Sequence, residues 1–241
     1  MTARATRSAD GRAQEADLPQ GEDKVRAVRA MFDTIAPRYD LVNRVMTFRM
    51  DVRWRVRTVR TLELPAGSVV VDLACGTGDL CRELANARMH AIGVDLSLGM
   101  LQAARTNAPL AQADILRLPF PDGSVDGATC GFALRNLIEL PAFFSELARV
   151  VRPGGRIALL EVAQPANRVL RWGHAVYFGK VVPRIGAVLS DGAAYRYLPK
   201  SVAYLPEPEA LLAELRAAGF RDAKRTLLSA GISQLIGGTR S

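Results

Sequence analysis

The chain has 241 residues, of which 49% are hydrophobic and 23% charged, so its composition is ordinary for a globular protein. That length accommodates one α/β domain with a sizeable core. No apolar run approaches a membrane span, residues 1–22 lack the apolar core of a signal peptide, and three cysteines do not make a disulfide framework. Composition therefore predicts a cytoplasmic protein and argues against a secreted or membrane-spanning one.

The net charge of +8 is concentrated near the amino terminus. The window from Lys24 to Arg60 holds ten basic and three acidic residues, which leaves +7 in that window alone. Two interpretations stay open. Arginine stems can cover apolar helix surface with their charges in solvent, or the patch can attract an anionic membrane or nucleic acid.

Residues 1–22 are polar and are expected to form a flexible tail, and residues 23–241 a single domain. The apolar spacing predicts a helix from Lys24 to Asp40, and a second helix is expected from Arg53 to Leu62. Both precede the first predicted strand. We therefore expect residues 23–64 to form a helical cap over one end of the sheet.

The most informative stretch begins with the β-branched run 69–71 and continues as Asp72-Leu73-Ala74-Cys75-Gly76-Thr77-Gly78-Asp79. A strand, a glycine loop and a helix in this order begin a nucleotide-binding βαβ unit. A dinucleotide fingerprint has a third small residue where this chain has Cys81. Asp79, at the helix start, is expected to repel a pyrophosphate. The loop therefore favours a positively charged nucleoside, S-adenosylmethionine, over NAD.

The following elements agree with this interpretation. A second strand is predicted from Met89 to Asp95, whose carboxylate can accept hydrogen bonds from both ribose hydroxyls. Asp114 follows a third short strand and is placed to meet the adenine amine. The turn 118–126 leads into a fourth strand, residues 151–155 are expected to end a helix with a Pro-Gly-Gly stop, and 156–161 form the fifth strand. The predicted cofactor-binding residues are Asp72, Gly76, Thr77, Gly78, Asp95, Asp114, Ile115 and Gly131.

Residues 164–205 interrupt the alternation of strands and helices and are rich in aromatic residues and prolines. An insertion after the fifth strand lies at the carboxyl edge of the sheet, so we interpret it as a lid over an apolar substrate. A helix is then expected from Glu207 to Ala218 and closing strands between Arg225 and Gly237. The fold class is α/β, a doubly wound and mostly parallel sheet.

The motifs Tyr39-Asp40, Asn43, Thr47 and Trp54, together with the segment 149–155 and Glu161, resemble the quinone-biosynthesis C-methyltransferases. Residues 132–136 resemble the fourth-strand exit of that family, and Tyr195-Arg196-Tyr197-Leu198 resembles its lid. The resemblance implies a Rossmann-like class I methyltransferase fold with seven strands. It also implies methyl transfer from S-adenosylmethionine to a ring carbon of demethylmenaquinol or a related prenylated quinol, in menaquinone biosynthesis.

The resemblance also suggests substrate-binding residues: Tyr39, Asn43, Arg135, Asn136 and Tyr197. Arg135 and Asn136 either bind quinol oxygens or hold the lid through ordinary hydrogen bonds. No catalytic base is assigned, because His90 is expected to be structural and His174 is a lone lid histidine. No metal cluster is predicted.

Two other acceptor classes stay open. Another small molecule is the main alternative. RNA is less favoured, because the fourth strand lacks the Asn/Asp-Pro-Pro-aromatic loop of base methyltransferases and the chain carries no appended RNA-binding module. The expected partners are therefore the quinol and, transiently, the anionic inner face of a membrane, without nucleic acid; the oligomeric state stays open.

Overall fold

The computed structural model describes residues 21–182, 184–185 and 201–241. Most of the predicted tail, 1–20, and the predicted substrate residue Tyr197 lie outside the described residues. The division into a tail and one domain stays a prediction. Within the described ranges, no helix is both long enough and apolar enough to cross a bilayer.

The cap consists of three helices: α1 (Gly21–Ile35), α2 (Tyr39–Met46) and α3 (Met50–Leu62). The prediction of one helix reaching Asp40 is wrong, because a 3-10 turn, Ala36–Arg38, separates α1 from α2. Pro37 lies in that turn; it has no N–H to donate and its ring opposes a continuous α-helix. Residues 21–22 belong to α1 and not to a tail.

Seven strands form one sheet in the order β3-β2-β1-β4-β5-β7-β6. The first five are parallel, and β7 is antiparallel to both of its neighbours, β5 and β6. This confirms the predicted doubly wound, mostly parallel, seven-stranded sheet. The strands are β1 (Val69–Leu73), β2 (His90–Asp95), β3 (Leu110–Gln112), β4 (Val125–Gly131), β5 (Val151–Val162), β6 (Phe220–Leu228) and β7 (Ser233–Arg240).

Helices cover both faces of the sheet. Those that follow the cap are α4 (Asp79–Asn86), α5 (Leu98–Gln102), α6 (Leu140–Val150), α7 (Arg168–Val176) and α8 (Pro208–Ala217). Successive residues of β1 point to opposite faces: Val70 packs in the cluster with Leu62 of α3, and Val71 in the cluster with Phe143 of α6. The single-turn 3-10 segments are Leu134–Asn136, Val202–Tyr204 and Ser229–Gly231.

The Pro-Gly-Gly segment does not end a helix, which corrects the sequence prediction. Helix α6 ends at Val150, and β5 begins at once. Val151 pairs with Val125 of β4, but the next pair is Arg156 with Gly127, so the segment 152–155 forms a bulge within the strand. Gly155 is confined there, since a Cβ on it would lie 2.7 Å from the Asp126 carbonyl oxygen.

The cap and the lid meet. Helix α7 is followed by a π-helical turn, Tyr177–Val181, and the Tyr177 hydroxyl donates to the carbonyl oxygen of Met46 at 2.8 Å. Phe178 and Val182 pack against Ile35 and Met46 in one apolar cluster. The described part of the lid is therefore attached to α2 of the cap, at the carboxyl end of the parallel strands.

Candidate active site

A cavity of about 470 Å³ lies between the carboxyl end of the sheet and α1. The apolar side chains Val25, Val28 and Phe32 of α1 form its roof, and Asp95 and Asp114 lie on the strand side. Seven sequence-predicted site residues line the cavity: Tyr39, Gly76, Asp95, Asp114, Ile115, Gly131 and Asn136. The cap therefore covers the strand ends, as the sequence predicted.

Asp95 connects β2 to the glycine loop. Its Oδ2 accepts a hydrogen bond from the Gly76 N–H at 2.7 Å, and its Oδ1 accepts one from the Ser97 N–H at 2.8 Å. Burial raises the pKa of the Asp95 carboxyl, while the backbone donors oppose that shift. Each carboxylate oxygen has a second lone pair, so Asp95 can also accept from a ligand in the cavity. The carboxylate thus both shapes the loop and faces the cavity.

The loop needs its two glycines for different reasons. Gly76 has φ +55° and lines the cavity, so its backbone N–H and C=O are close to any ligand. Gly78 has φ +81°, and a Cβ there would lie 2.6 Å from the Cγ2 of Thr106. Gly78 and Thr77 do not line the cavity. They maintain the conformation of the loop through contacts on its other side, with Thr106 and Asp40.

Asp72 also does not line the cavity. It is 1% exposed within β1, where its Oδ1 accepts from the Thr129 hydroxyl of β4 at 2.8 Å. The Cys81 thiol lies 3.6 Å from its other oxygen. Burial raises the pKa of Asp72 to about 7. Its position indicates a support beneath the loop, linking β1, β4 and α4.

An ionic network joins the cap to the loop. The Thr77 hydroxyl donates to Asp40 of α2. Three arginines surround the Asp79 carboxylate: Arg44 at 3.3 Å, Arg55 at 3.1 Å, and Arg82 one turn along α4. The charge of Asp79 was the reason for expecting it to repel a pyrophosphate. That reason is wrong, because these guanidinium groups compensate the charge. Asp79 acts as an anchor for the cap.

Other residues of the cavity wall are candidates for acceptor binding. Tyr39 and Asn136 line the wall, and Asn43 hydrogen-bonds the Tyr39 side chain without lining the cavity itself. Burial raises the pKa of the Tyr39 hydroxyl. Phe32 packs edge-on against Tyr39 with ring centroids 5.9 Å apart. These residues give the cavity wall an aromatic part with two polar groups.

Arg135 is engaged inside the protein. Its guanidinium pairs with Glu161, which is completely buried, and its Nε donates to the Ser201 hydroxyl of the lid at 3.1 Å. The Arg135 N–H also donates to Glu161 at 3.2 Å. Of the two predicted roles of Arg135, these contacts match the attachment of the lid.

Lys24 is a structural residue, although its charge alone predicted a place on the surface. It is 3% exposed; its Nζ donates to the carbonyl oxygens of Arg135 at 3.0 Å and Leu137 at 3.1 Å, and lies 3.5 Å from the ring centroid of Tyr204. Burial lowers the pKa of Lys24 to about 8. The available signal was helical spacing, which puts Lys24 on the same apolar face as Val28.

The two histidines lie outside the cavity wall. His90 is exposed at the start of β2, and His174 stacks on Phe178 with ring centroids 4.3 Å apart. Burial lowers the pKa of His174. Among the described residues, no group of three or more His, Cys, Asp or Glu side chains could hold a metal ion.

Comparison with known proteins decides the family. The model of the ubiE/COQ5 methyltransferase family matches residues 20–240. This chain belongs to that family. It is 41% identical over 234 residues to the ubiquinone/menaquinone biosynthesis C-methyltransferase UbiE of Syntrophotalea carbinolica, covering 93% of this chain and 97% of that protein. It is 42% identical to the demethylmenaquinone methyltransferase of Deinococcus radiodurans, covering 86% of this chain and 90% of that protein.

Solved structures agree with the fold of this ubiE/COQ5 family member. A SAM-dependent methyltransferase from Thermotoga maritima superposes with a TM-score of 0.62 at 21% identity, covering 88% of this chain and 99% of the other. At that identity the likeness shows the fold alone. The chain therefore has the class I methyltransferase fold, and the predicted resemblance to the quinone-biosynthesis methyltransferases is confirmed.

Proposed function

We propose that this methyltransferase binds S-adenosylmethionine on the strand side of the cavity and methylates a ring carbon of demethylmenaquinol or a related prenylated quinol. One observation carries the proposal: a single cavity is lined both by the strand-end carboxylates Asp95 and Asp114 and by the aromatic side chains of Phe32 and Tyr39 from the cap. The names of the curated relatives support this acceptor class.

On the cofactor side, Asp95 accepts hydrogen bonds from the ribose hydroxyls and Asp114 meets the adenine amine. The Asp114 carboxylate is fixed for that role by the Leu116 N–H, which donates to it at 2.9 Å. Ile115 and Gly131 complete the wall. Thr77, Gly78 and Asp72 maintain the loop, and S-adenosylmethionine supplies an electrophilic methyl group.

On the acceptor side, a hydroquinone carries its own nucleophile. Loss of a proton from one ring hydroxyl makes the ortho carbon electron-rich. That carbon then forms a C–C bond as the S–CH₃ bond breaks, and loss of the ring proton restores aromaticity. The protein aligns the ring and excludes water. Tyr39 and Asn136 are placed to hold quinol oxygens, with Asn43 orienting Tyr39, while Arg135 attaches the lid. Tyr197 stays a predicted substrate-binding residue outside the described residues.

A prenylated quinol partitions into bilayers, so we place the enzyme at the inner face of a membrane, reached from the cytoplasm. The basic cap supports this location. Lys24 and Arg55 are buried and do not contribute to a surface patch, whereas Arg49, Arg53, Arg57 and Arg60 are exposed. Exposed basic residues near an anionic leaflet contribute about 1 kcal/mol each and are screened by salt. Membrane association is therefore expected to be reversible and salt-sensitive.

The test is methyl transfer from labelled S-adenosylmethionine to demethylmenaquinol in detergent, with total RNA as the competing acceptor. Label is expected in the quinol and not in the RNA. Asp95→Ala serves as the matched inactive control, because it removes the predicted ribose contact without touching the acceptor end. Label in the RNA would contradict the proposal. So would an unlabelled quinol when the protein is shown to bind S-adenosylmethionine.

A further inference from the structure

Helix α7 has an apolar, aromatic face that nothing in the described part of the chain covers. Val169 is 75% exposed, Trp172 71% and Leu170 49%, and none of the nine residues of the helix is buried. Val169 and Trp172 are three residues apart and lie on one side of the helix. A soluble domain ordinarily buries such side chains, so this face is a candidate docking surface.

The turn between α2 and α3 extends this surface. Phe48 is 73% exposed, and its ring centroid lies 5.8 Å from that of Tyr177, which directly follows α7. Phe48 and the exposed Arg49 both have left-handed backbone, with φ +50° and +61°. Such backbone is unfavourable for residues with a Cβ and persists where the surroundings enforce it. Here it directs an aromatic and a basic side chain outward together.

The charges around this surface have one sign. The segment 162–185 contains four basic residues, Arg168, Arg171, Lys180 and Arg184, and no Asp or Glu. All four are exposed. A short amphipathic helix with aromatic and aliphatic residues beside arginine and lysine has the composition of helices that lie in a membrane interface. Charge complementarity therefore points to an anionic bilayer.

We infer that Phe48, Val169, Leu170 and Trp172, here called the docking face, insert into the interface of an anionic phospholipid bilayer. The inference rests on the proposed function, because only an acceptor dissolved in the bilayer requires it. The docking face adjoins the cap–lid cluster, in which Phe178 and Val182 pack near Phe32 and Tyr39. Those last two side chains line the cavity, so the cluster connects the membrane surface to the acceptor end.

The test measures binding to vesicles of phosphatidylcholine mixed with phosphatidylglycerol, without any methyl acceptor. Wild-type protein is expected to bind, and its tryptophan emission to shift to the blue. That shift reports Trp172, because Trp54, the other tryptophan, is already buried. Trp172→Ser and Phe48→Ser are each expected to weaken partitioning about tenfold, the cost of losing one inserted aromatic side chain. Trp172→Phe should lose the blue shift but keep the binding.

The matched control is Leu227→Ser, which removes an exposed leucine on edge strand β6. It should partition like the wild type, and all variants should unfold at similar temperatures. Partitioning that is indifferent to Trp172 and Phe48 would overturn the inference. A blue shift of Trp172 emission that depends on protein concentration in the absence of vesicles would also overturn it, because a second copy of the chain would then cover the docking face. The vesicle assay contains no methyl acceptor, and the methyl-transfer assay uses detergent in place of vesicles. A negative result in one assay therefore does not decide the other.

Discussion

Removal of the Thr77 hydroxyl tests whether the cap is coupled to the glycine loop. Thr77 is 4% exposed, and its hydroxyl donates to Asp40, which is 7% exposed. A hydrogen bond to a charged group contributes about 1.5–3 kcal/mol. In Thr77→Val, Asp40 loses this donor and keeps the longer contact with Arg44, at 3.7 Å. We therefore expect the free energy of unfolding, measured by urea denaturation, to fall by about 1.5–3 kcal/mol.

The same change should loosen α2, which contributes Tyr39 to the cavity. If the whole energy acts on docking of the cap, the affinity for S-adenosylmethionine falls by at most about 10- to 150-fold, measured by calorimetry. Hydrogen exchange in α2 should accelerate as well. Thr77→Ser is the matched control, because it keeps the hydroxyl and loses only a methyl group. Equal stability and equal exchange in the Val and Ser variants would refute the coupling.

Three further outcomes are expected. Asp95→Ala should weaken binding of S-adenosylmethionine by up to about a hundredfold in calorimetry, because the ribose contacts and the carboxylate acceptor of the Gly76 N–H are both lost; unchanged affinity would exclude Asp95 from the site. Asp72 has a raised pKa, so its neutral form stabilises the fold fully below about pH 4, and this contribution is lost as pH rises through about 7. Relative to Asp72→Asn, the wild type should therefore lose stability over that window in urea denaturation, and a constant difference would contradict the assignment. Gly93→Ala should lower the thermal unfolding temperature, because its Cβ would meet Leu110 at 2.6 Å and the Cys75 sulfur at 2.9 Å; an unchanged temperature would show that these side chains move aside.

Local pattern was sufficient for much of the fold. The β-branched run before Gly76 predicts β1. The position of Asp95 at the end of the next strand predicts that its carboxylate lies on the cavity wall. These predictions succeed because strand period and glycine conformation depend on neighbouring residues, and because parallel strands bring their carboxyl ends to one edge. The helix break at Pro37 was missed although proline is a local signal for it, whereas the bulge at 152–155 was missed because it depends on how β5 pairs with β4.

The sequence by itself determined the order of strands and helices, the loop, and the family to which the chain belongs. Only the tertiary structure decided which charges are internal. Lys24 finds its acceptors 111 and 113 residues away, and Asp79 is held by an arginine 35 residues before it. No local pattern encodes such partners, because they meet only when the cap closes on the sheet. The same closure separates the residues that line the cavity from those, such as Asp72 and Arg135, that support it from within.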